Sequence, residues 1–413
     1  MTRLAGLLPL LAVWLPAPTV WADWALTDTD RVLFYGSTPR WPASYGLQVE
    51  TFVRVKYPSC QVRFWHWPPQ LPRTIEQGAE DLAEHLQVFR PTIVVLGFGL
   101  YGGDTRAFSA PRLSAFTGRL VEMLEQCGQA GARVVLVTPN CPEAARKQLL
   151  TKIKYDEVVG QYAQAIKDLA AESSLPLVDW YQATRDYAAA HPPGQDGRNV
   201  LTTDGLNPKQ LANTLAAEAL LEVWGAQPLE VDVQLDWATL ETSTSAGSVT
   251  ATRRSESIVA VELQGFPLPW AVTGRSGVTP MNWGPRRFCR FAFQVKNAPP
   301  GGLVTSAPGS RPMSWPQPAV EAGLDLSVAG PLLRCRELVQ LMTSVKKKNK
   351  TLEKLDRWMK KPFPEPEYAD AIAKYAAAML AEAEGTEKII QRTPRTLDLT
   401  VEFRLVKPPA KKD

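Results

Sequence analysis

Five short apolar runs, each cut off by a turn-forming residue, constrain this chain more than anything else in it. They are Arg31–Tyr35, Gln61–Trp65, Thr92–Gly97, Arg133–Thr138 and Pro176–Asp179. Between and after them lie longer segments with apolar residues at helical spacing: Ser44–Tyr57, Thr74–Phe89, Ala110–Ala130, Ala144–Glu172 and Lys209–Trp224. In the first of these, Leu47, Val49, Phe52, Val53 and Val55 mark the buried stripe. Alternation of this kind predicts a parallel sheet with helices on both faces, because each parallel strand needs a crossover to return the chain. The carboxyl ends of such strands, and the turns after them, line any binding site. The expected fold of residues 23–226 is therefore α/β and three-layered.

From Gln227 the pattern changes. Glu230–Leu235, Ser248–Arg254, Ser257–Leu263, Arg290–Lys296 and Leu324–Val328 read as strands between Gly-, Pro- and Ser-rich turns, giving a small β-rich, sandwich-like domain over 227–330. Residues 331–392 read as an antiparallel helical hairpin. Leu338, Val345, Leu352 and Met359 repeat every seventh residue, with Leu341 and Leu355 filling the seam. Beyond the Pro-rich breaker at 361–366, Tyr368, Ile372, Tyr375 and Met379 supply the facing stripe. Lys346–Lys348 and Lys350 read as a solvated face of the first helix. Residues 393–413 read as a strand, Thr396–Val406, that returns to the β domain, followed by a basic tail.

Residues 1–22 read as a signal peptide: Thr2-Arg3, an apolar stretch Leu4–Leu15, and a Val20-Trp21-Ala22 cleavage site. An uncleaved N-terminal anchor is the alternative. No later segment holds the roughly 18 uninterrupted apolar residues of a spanning helix, so no transmembrane segment is expected in the mature chain. The expected location is extracytoplasmic, either periplasmic or secreted. A net charge of +4, with no basic stripe interleaved with aromatics, gives no reason to expect nucleic acid as a partner. The five cysteines are far apart and form no Cys-x-x-Cys pair, so neither zinc spacing nor a disulfide framework is visible. No cofactor or metal is implied. Only three histidines exist, His66, His85 and His191.

The stretch Val32–Gly46 places Ser37 and Thr38 at a strand-to-helix turn, where a hydroxyl is either a helix cap or a nucleophile. Three further stretches bear on that choice. "PTIVVLGFGLYGGD" is a strand followed by a glycine-rich turn, "FWHWPPQLPRT" ends a strand in prolines, and "LTTDGLNPKQLANTLAAEAL" is an Asp-Gly turn that opens a helix.

Taken in chain order, with "FWHWPPQLPRT" second and "PTIVVLGFGLYGGD" third, the stretches resemble the blocks of SGNH/GDSL hydrolases, which implies the flavodoxin-like three-layer fold of that family over about 30–225 and, as an activity, ester hydrolysis. The C-terminal half resembles, more loosely, the β-plus-helical extension of some secreted bacterial members. The resemblance departs at each chemical position. The family's Gly-Asp-Ser reads Gly36-Ser37-Thr38, with Thr38 at the nucleophile. Its oxyanion glycine is replaced by Pro69 or, in the alternative register, Pro68. Its oxyanion asparagine is Tyr101 and its histidine is Asn207, while the supporting aspartate is kept as Asp204.

Each replacement removes a function. A hydroxyl attacks only if an adjacent base takes its proton, and an amide such as that of Asn207 cannot. Proline has no N–H to offer an oxyanion. Tyr101 keeps a phenol donor but is bulkier, and Asp204 is left to close its turn. Loss of an oxyanion donor costs about 10²–10³ in rate, and loss of a nucleophile or base on the order of 10⁶. Ser37 and His66 are the possible substitutes, His66 lying in the cluster Phe64-Trp65-His66-Trp67; His85 and His191 read as exposed. The leading expectation is a catalytically inactive, SGNH-like extracytoplasmic protein. Its ligand would be a carbohydrate or a small acyl ester, with Tyr35, Trp41, Trp65, Trp67 and Tyr101 either stacking on sugar rings or packing in the core. The alternatives are an active carboxylic-ester or O-acetyl-ester hydrolase with non-standard groups, and a protein–protein interaction module in the C-terminal half.

Overall fold

A computed structural model describes residues 24–36, 44–67, 74–102, 104–143, 151–191, 199–274, 277–280, 287–307, 312–325, 336–359 and 369–406. The signal segment, Ser37, Thr38, Trp41, Pro68, Pro69, the breaker at 361–366 and the basic tail lie outside the described residues. The first half runs β1 (Arg31–Gly36), α1 (Tyr45–Lys56), β2 (Arg63–Trp67), α2 (Ile75–Phe89), β3 (Ile93–Gly97), α3 (Ala110–Gln129), β4 (Arg133–Val137), α4 (Tyr155–Glu172), β5 (Leu177–Val178), α5 (Trp180–Ala190) and α6 (Gln210–Val223). The five strands form one parallel sheet in the order β2-β1-β3-β4-β5. Alternate residues serve opposite faces. Val32, Phe34, Phe64, Ile93 and Val95 pack with α1 and α6, whereas Leu33, Tyr35, Trp65, Val94 and Leu96 pack with α2, α3 and α4. The expected three-layer α/β fold is the observed one.

Local differences have local causes. β2 begins two residues later than expected and takes in all four residues of the aromatic cluster, so Phe64 and His66 point to one face and Trp65 and Trp67 to the other. Asp179 does not extend β5. Its carboxylate accepts from the Gln182 N–H at 3.0 Å and caps α5, a helix absent from the sequence reading. In the long 144–172 segment, Lys154 takes the left-handed conformation (φ 48°), so α4 starts at Tyr155.

The second half adds β6 (Leu229–Asp236), β7 (Thr242–Thr244), β8 (Ser248–Ser255), β9 (Ile258–Pro267), β10 (Ala271–Gly274), β11 (Gly277–Pro280), β12 (Cys289–Lys296), β13 (Leu303–Ser306), β14 (Met313–Trp315), α7 (Gln317–Ala322), β15 (Leu324–Asp325), α8 (Arg336–Met359), α9 (Ala369–Arg392) and β16 (Thr396–Leu405). Two sheets, β15-β12-β6-β7 and β14-β13-β16-β9-β8, carry the sandwich, with Phe293 stacked on Phe403 at 4.7 Å between them. β16 returns between β13 and β9, as its alternation implies.

Helix α1 joins the halves. Its face toward the sheet is apolar, but its other face is covered too: Gln48, Glu50, Thr51 and Arg54 are all at most 2% exposed. Trp270 donates its indole N–H to the Gln48 carbonyl at 2.9 Å, and Phe52 packs edge-on against Trp270 and Phe288. The α8–α9 hairpin covers the free edge at β2. Leu338, Leu341, Met342 and Val345 join the core shared with α1, and Leu352, Leu355 and Ala383 join the core on the α2 side.

Where the hairpin meets α1, the contact is ionic. Lys348 is fully buried rather than solvated, a correction to the sequence reading, because its Nζ donates to Glu50 and, at 3.1 Å, to Glu387. Arg54 pairs with Glu387 and lies 3.5 Å from Glu50. His66 completes the group, its Nε2 2.9 Å from Glu50 Oε2. Burial holds the His66 imidazole below its ordinary pKa, aided by Lys348 and Arg54 and opposed by Glu50. The ring is therefore neutral, and its Nε2–H donates to the carboxylate. Burial alone pushes Glu50 up, but Lys348, His66 and Arg54 together hold it far below the usual carboxylate range.

Lys348→Met should lower the unfolding free energy by about 3–5 kcal/mol in urea titrations, since it leaves two buried carboxylates to share Arg54 as their ion-pair partner. Acid should act on the same group. The stabilisation from Glu50 is complete above its ordinary pKa of 4.5 and is lost as the pH falls below it. Neutral His66 adds loss in the same direction below 6.5. Glu218 in α6 behaves oppositely. Burial, only partly offset by Arg287, raises it to about 7, so its ionisation weakens the fold as the pH rises from 4.5 through 7. Glu218→Gln should therefore gain roughly 1–3 kcal/mol at pH 8 and almost nothing at pH 4.

Candidate functional site

The site is built at the carboxyl ends of β1 and β3 and in the turn before α6. Gly36 ends β1 with φ 141° beside Gly97 of β3, and a Cβ on it would stand 2.2 Å from the Gly97 carbonyl oxygen. Glycine is thus dictated by the approach of the neighbouring strand. After β3, the turn Phe98–Gly102 is pinned by the Gly102 N–H to Gly99 O bond (3.1 Å) and by Tyr155, whose hydroxyl donates to Leu100 O at 2.9 Å. That turn presents Tyr101, half-buried.

Opposite stands the Asp204–Asn207 turn. Asp204 Oδ1 accepts from the Leu206 and Asn207 N–H groups at 3.1 and 2.8 Å, and Gly205 supplies the left-handed φ of 90°. Asp204 Oδ2 accepts from Asn207 Nδ2 at 2.9 Å, and Asn207 Oδ1 accepts from the Tyr101 hydroxyl at 2.9 Å. The structure therefore brings Asp204, Asn207 and Tyr101 into one carboxylate–amide–phenol chain. Asp204 does more than close its turn: it also orients residue 207.

The turn itself is held by Glu143, a residue the sequence reading missed. Its carboxylate accepts from the N–H groups of Val200, Leu201 and Thr202 at 2.6–2.9 Å and from the Thr202 hydroxyl at 2.7 Å. Asn140 adds a donor to Leu206 O at 3.1 Å. The available signal was weak: polar residues in the Pro139–Glu143 turn after β4.

Other candidates lie elsewhere. His66 faces α1, stacked on Phe34 at 5.0 Å and held by Glu50. His85 is buried rather than exposed, because it lies on the inward stripe of α2 with its Nδ1 3.0 Å from the Tyr35 hydroxyl. His191 is exposed. Tyr35, Trp65 and Trp67 are core residues, at most 4% exposed, and offer no face for stacking on a sugar. Among the described residues Cys60, Cys127, Cys141 and Cys289 form no disulfide. Among the described residues no group of three or more His, Cys, Asp or Glu could hold a metal ion. No described helix is long and apolar enough to cross a membrane.

Beside the chain, a cavity of about 240 Å³ opens between the N-terminal ends of α2 and α3. Tyr101 forms one wall, and Ile75, Glu76, Phe98, Asp104, Arg112 and Phe116 are among the others.

No family model and no curated protein matches the chain. Among solved structures it is similar to a gut microbial diltiazem-metabolizing enzyme, with a TM-score of 0.65 at 10% identity over 93% of this chain and 100% of that one. It also matches a catalytic mutant of the acetylxylan esterase Axe2 from Geobacillus stearothermophilus, with a TM-score of 0.40 at 16% identity over 49% of this chain and 97% of that one. Only the first superposition is close enough to use. It covers nearly the whole chain, so the β-rich and helical half belongs to the shared architecture. The shared fold is a parallel-sheet α/β core with an added β-rich and helical part.

Asn207→Leu should cost roughly 1–3 kcal/mol in thermal or urea unfolding, because it removes both the bond to Asp204 Oδ2 and the acceptor of the Tyr101 hydroxyl. Tyr101→Phe, which frees only an amide oxygen near solvent, should cost less than half as much.

Proposed function

We propose that this chain is an extracytoplasmic, SGNH-like protein that has lost ester hydrolysis and keeps its cleft for binding. The observation that carries this reading is the Asp204–Asn207–Tyr101 chain. A general base must hold an unshared pair at a pKa near the working pH and within reach of the nucleophile. At position 207 the group is an amide that does not titrate, with its NH₂ given to Asp204 and its oxygen to the Tyr101 phenol. Proline at 69, if it holds the family's glycine position, supports the same reading, because it has no N–H to donate. His66 offers no replacement base, since its Nε2 is given to Glu50 in the α1 interface. Export is supported by the Leu4–Leu15 apolar stretch and the Val20-Trp21-Ala22 site.

The purified protein should show no hydrolysis of p-nitrophenyl acetate or acetylated sugars above background and no fluorophosphonate labelling at Ser37 or Thr38. Thr38→Ser alone should stay inactive, because the new serine would still lack a base. Thr38→Ser, Pro69→Gly, Tyr101→Asn and Asn207→His combined should restore weak turnover. Robust wild-type turnover that disappears in Thr38→Ala would overturn the proposal. So would turnover that disappears in Ser37→Ala and His66→Ala, which would instead identify an active esterase with relocated groups.

A further inference from the structure

We propose that the ionic group where the hairpin meets α1 holds one small monovalent anion, a halide such as chloride, between Arg54 and Arg395. The inference rests on that interface and is independent of the chemistry at residues 38 and 207.

Arg395 lies in the short link between α9 and β16 and is 9% exposed. Its Nη2 donates to the Ile390 carbonyl in the last turn of α9, but its buried Nε and Nη1 have no acceptor. Arg54 is 2% exposed, with its Nη2 on Glu387 and 3.5 Å from Glu50. The Nε and Nη1 of Arg54 lack acceptors as well. Phe64, its ring centre 5.2 Å from the Arg54 guanidinium carbon, offers a π face but no lone pair. Buried guanidinium nitrogens without acceptors are rare in folded proteins, and here there are four in one interface.

Charge makes the same demand. Arg54, Lys348 and Arg395 face two carboxylates, Glu50 and Glu387, and His66 is neutral. Both carboxylates are engaged elsewhere, Glu50 by Lys348 and His66 and Glu387 by Lys348 and Arg54. Among the described residues Arg395 makes no ion pair. Burial, and then the positive charge of Arg54, bring its pKa down to about 10, with Glu387 opposing. Arg395 therefore stays charged at neutral pH, and the surplus cation cannot escape by losing its proton. A buried charge without a counter-charge is costly. One surplus positive charge is matched by one negative charge, whereas sulfate or phosphate overshoots it. A halide accepts from N–H donors in any direction, which suits nitrogens on two separate guanidiniums. Those nitrogens are closed to solvent, so an anion with a carbon skeleton has no opening through which to reach them. A bare ion is enclosed as the hairpin closes over α1, and it ties that helix to the start of β16.

Urea unfolding of the full chain at neutral pH tests this, with chloride exchanged for gluconate at constant ionic strength. With a Kd of about 1 mM, about 100 mM chloride should favour the folded state roughly a hundredfold over gluconate, which is too large to be enclosed. Arg395→Met keeps an unbranched apolar stem, removes the surplus charge, and should abolish the chloride response. Crystals grown in bromide give a second reading that needs no substitution. Their anomalous signal should show one peak within hydrogen-bond reach of both guanidiniums. Equal stability in chloride and gluconate, a chloride response that survives in Arg395→Met, or only water beside Arg54 and Arg395 in the bromide crystals would each overturn the assignment. None of these outcomes bears on the ester-hydrolysis assay, which tests the altered centre separately.

Discussion

Glu50 ties three elements of this fold together on one carboxylate. It sits on α1, receives the imidazole of β2, lies beside Arg54 one turn along its own helix, and accepts Lys348 from the hairpin 298 residues away. A carboxylate brought to zero exposure is very costly unless its oxygens are matched by donors and cations. That requirement makes the arrangement cooperative. If the hairpin lifts from the β2 edge, Glu50 loses Lys348, and Glu387, which leaves on the same hairpin, loses Arg54. Apolar packing of Leu338, Met342, Val345 and Leu352 against the edge supplies the attraction, while the ions fix where the hairpin must sit. The β-rich half fastens the same helix from its other end, through Trp270 on Gln48 and Phe288 on Phe52. The change of architecture at residue 227 is therefore no break in the core.

This interface also shows what a sequence hides. The strand–helix alternation was legible because each strand is a continuous apolar run and each helix has one apolar stripe. The same pattern says nothing of what meets the polar side of α1, with Gln48, Glu50, Thr51 and Arg54. Periodicity tells which residues avoid water, but not what a polar face meets when another part of the chain closes over it. Lys348 was misread for that reason, as one of a run of lysines whose neighbours Lys347 and Lys350 are exposed. His85 was misread because one polar residue on an inward stripe leaves the period unchanged. The short strands at 242–244 and 313–315 are too brief to show alternation.

At the site, the sequence marked the altered positions without showing their relation. Tyr101 and Asn207 stand 106 residues apart, and each alone reads as a loss. In the structure they compensate one another, since the phenol donates to the amide oxygen and the amide donates to Asp204. A chain of neutral hydrogen bonds anchored on a carboxylate needs no proton transfer to be satisfied. The centre is thus not a damaged version of a catalytic arrangement. It is a complete hydrogen-bonded structure of a different kind.

That completeness bears on what a histidine at 207 could do. An imidazole at 207 could donate Nδ1–H to Asp204, as the amide does now, leaving Nε2 to accept a proton. With Tyr101 in place, the phenol that now donates over 2.9 Å to the Asn207 oxygen would have that nitrogen in reach. A phenol is a far weaker acid than imidazolium, so it would hold the imidazole lone pair without giving it a substrate proton. A histidine restored alone would be oriented correctly and still occupied. Removing the phenol is then as necessary as adding the base, and it also takes away one wall of the neighbouring cavity. Hydrolysis in the manner of the resembled enzymes would therefore require a smaller residue at position 101, where the phenol now both completes the hydrogen-bonded chain and walls the cavity.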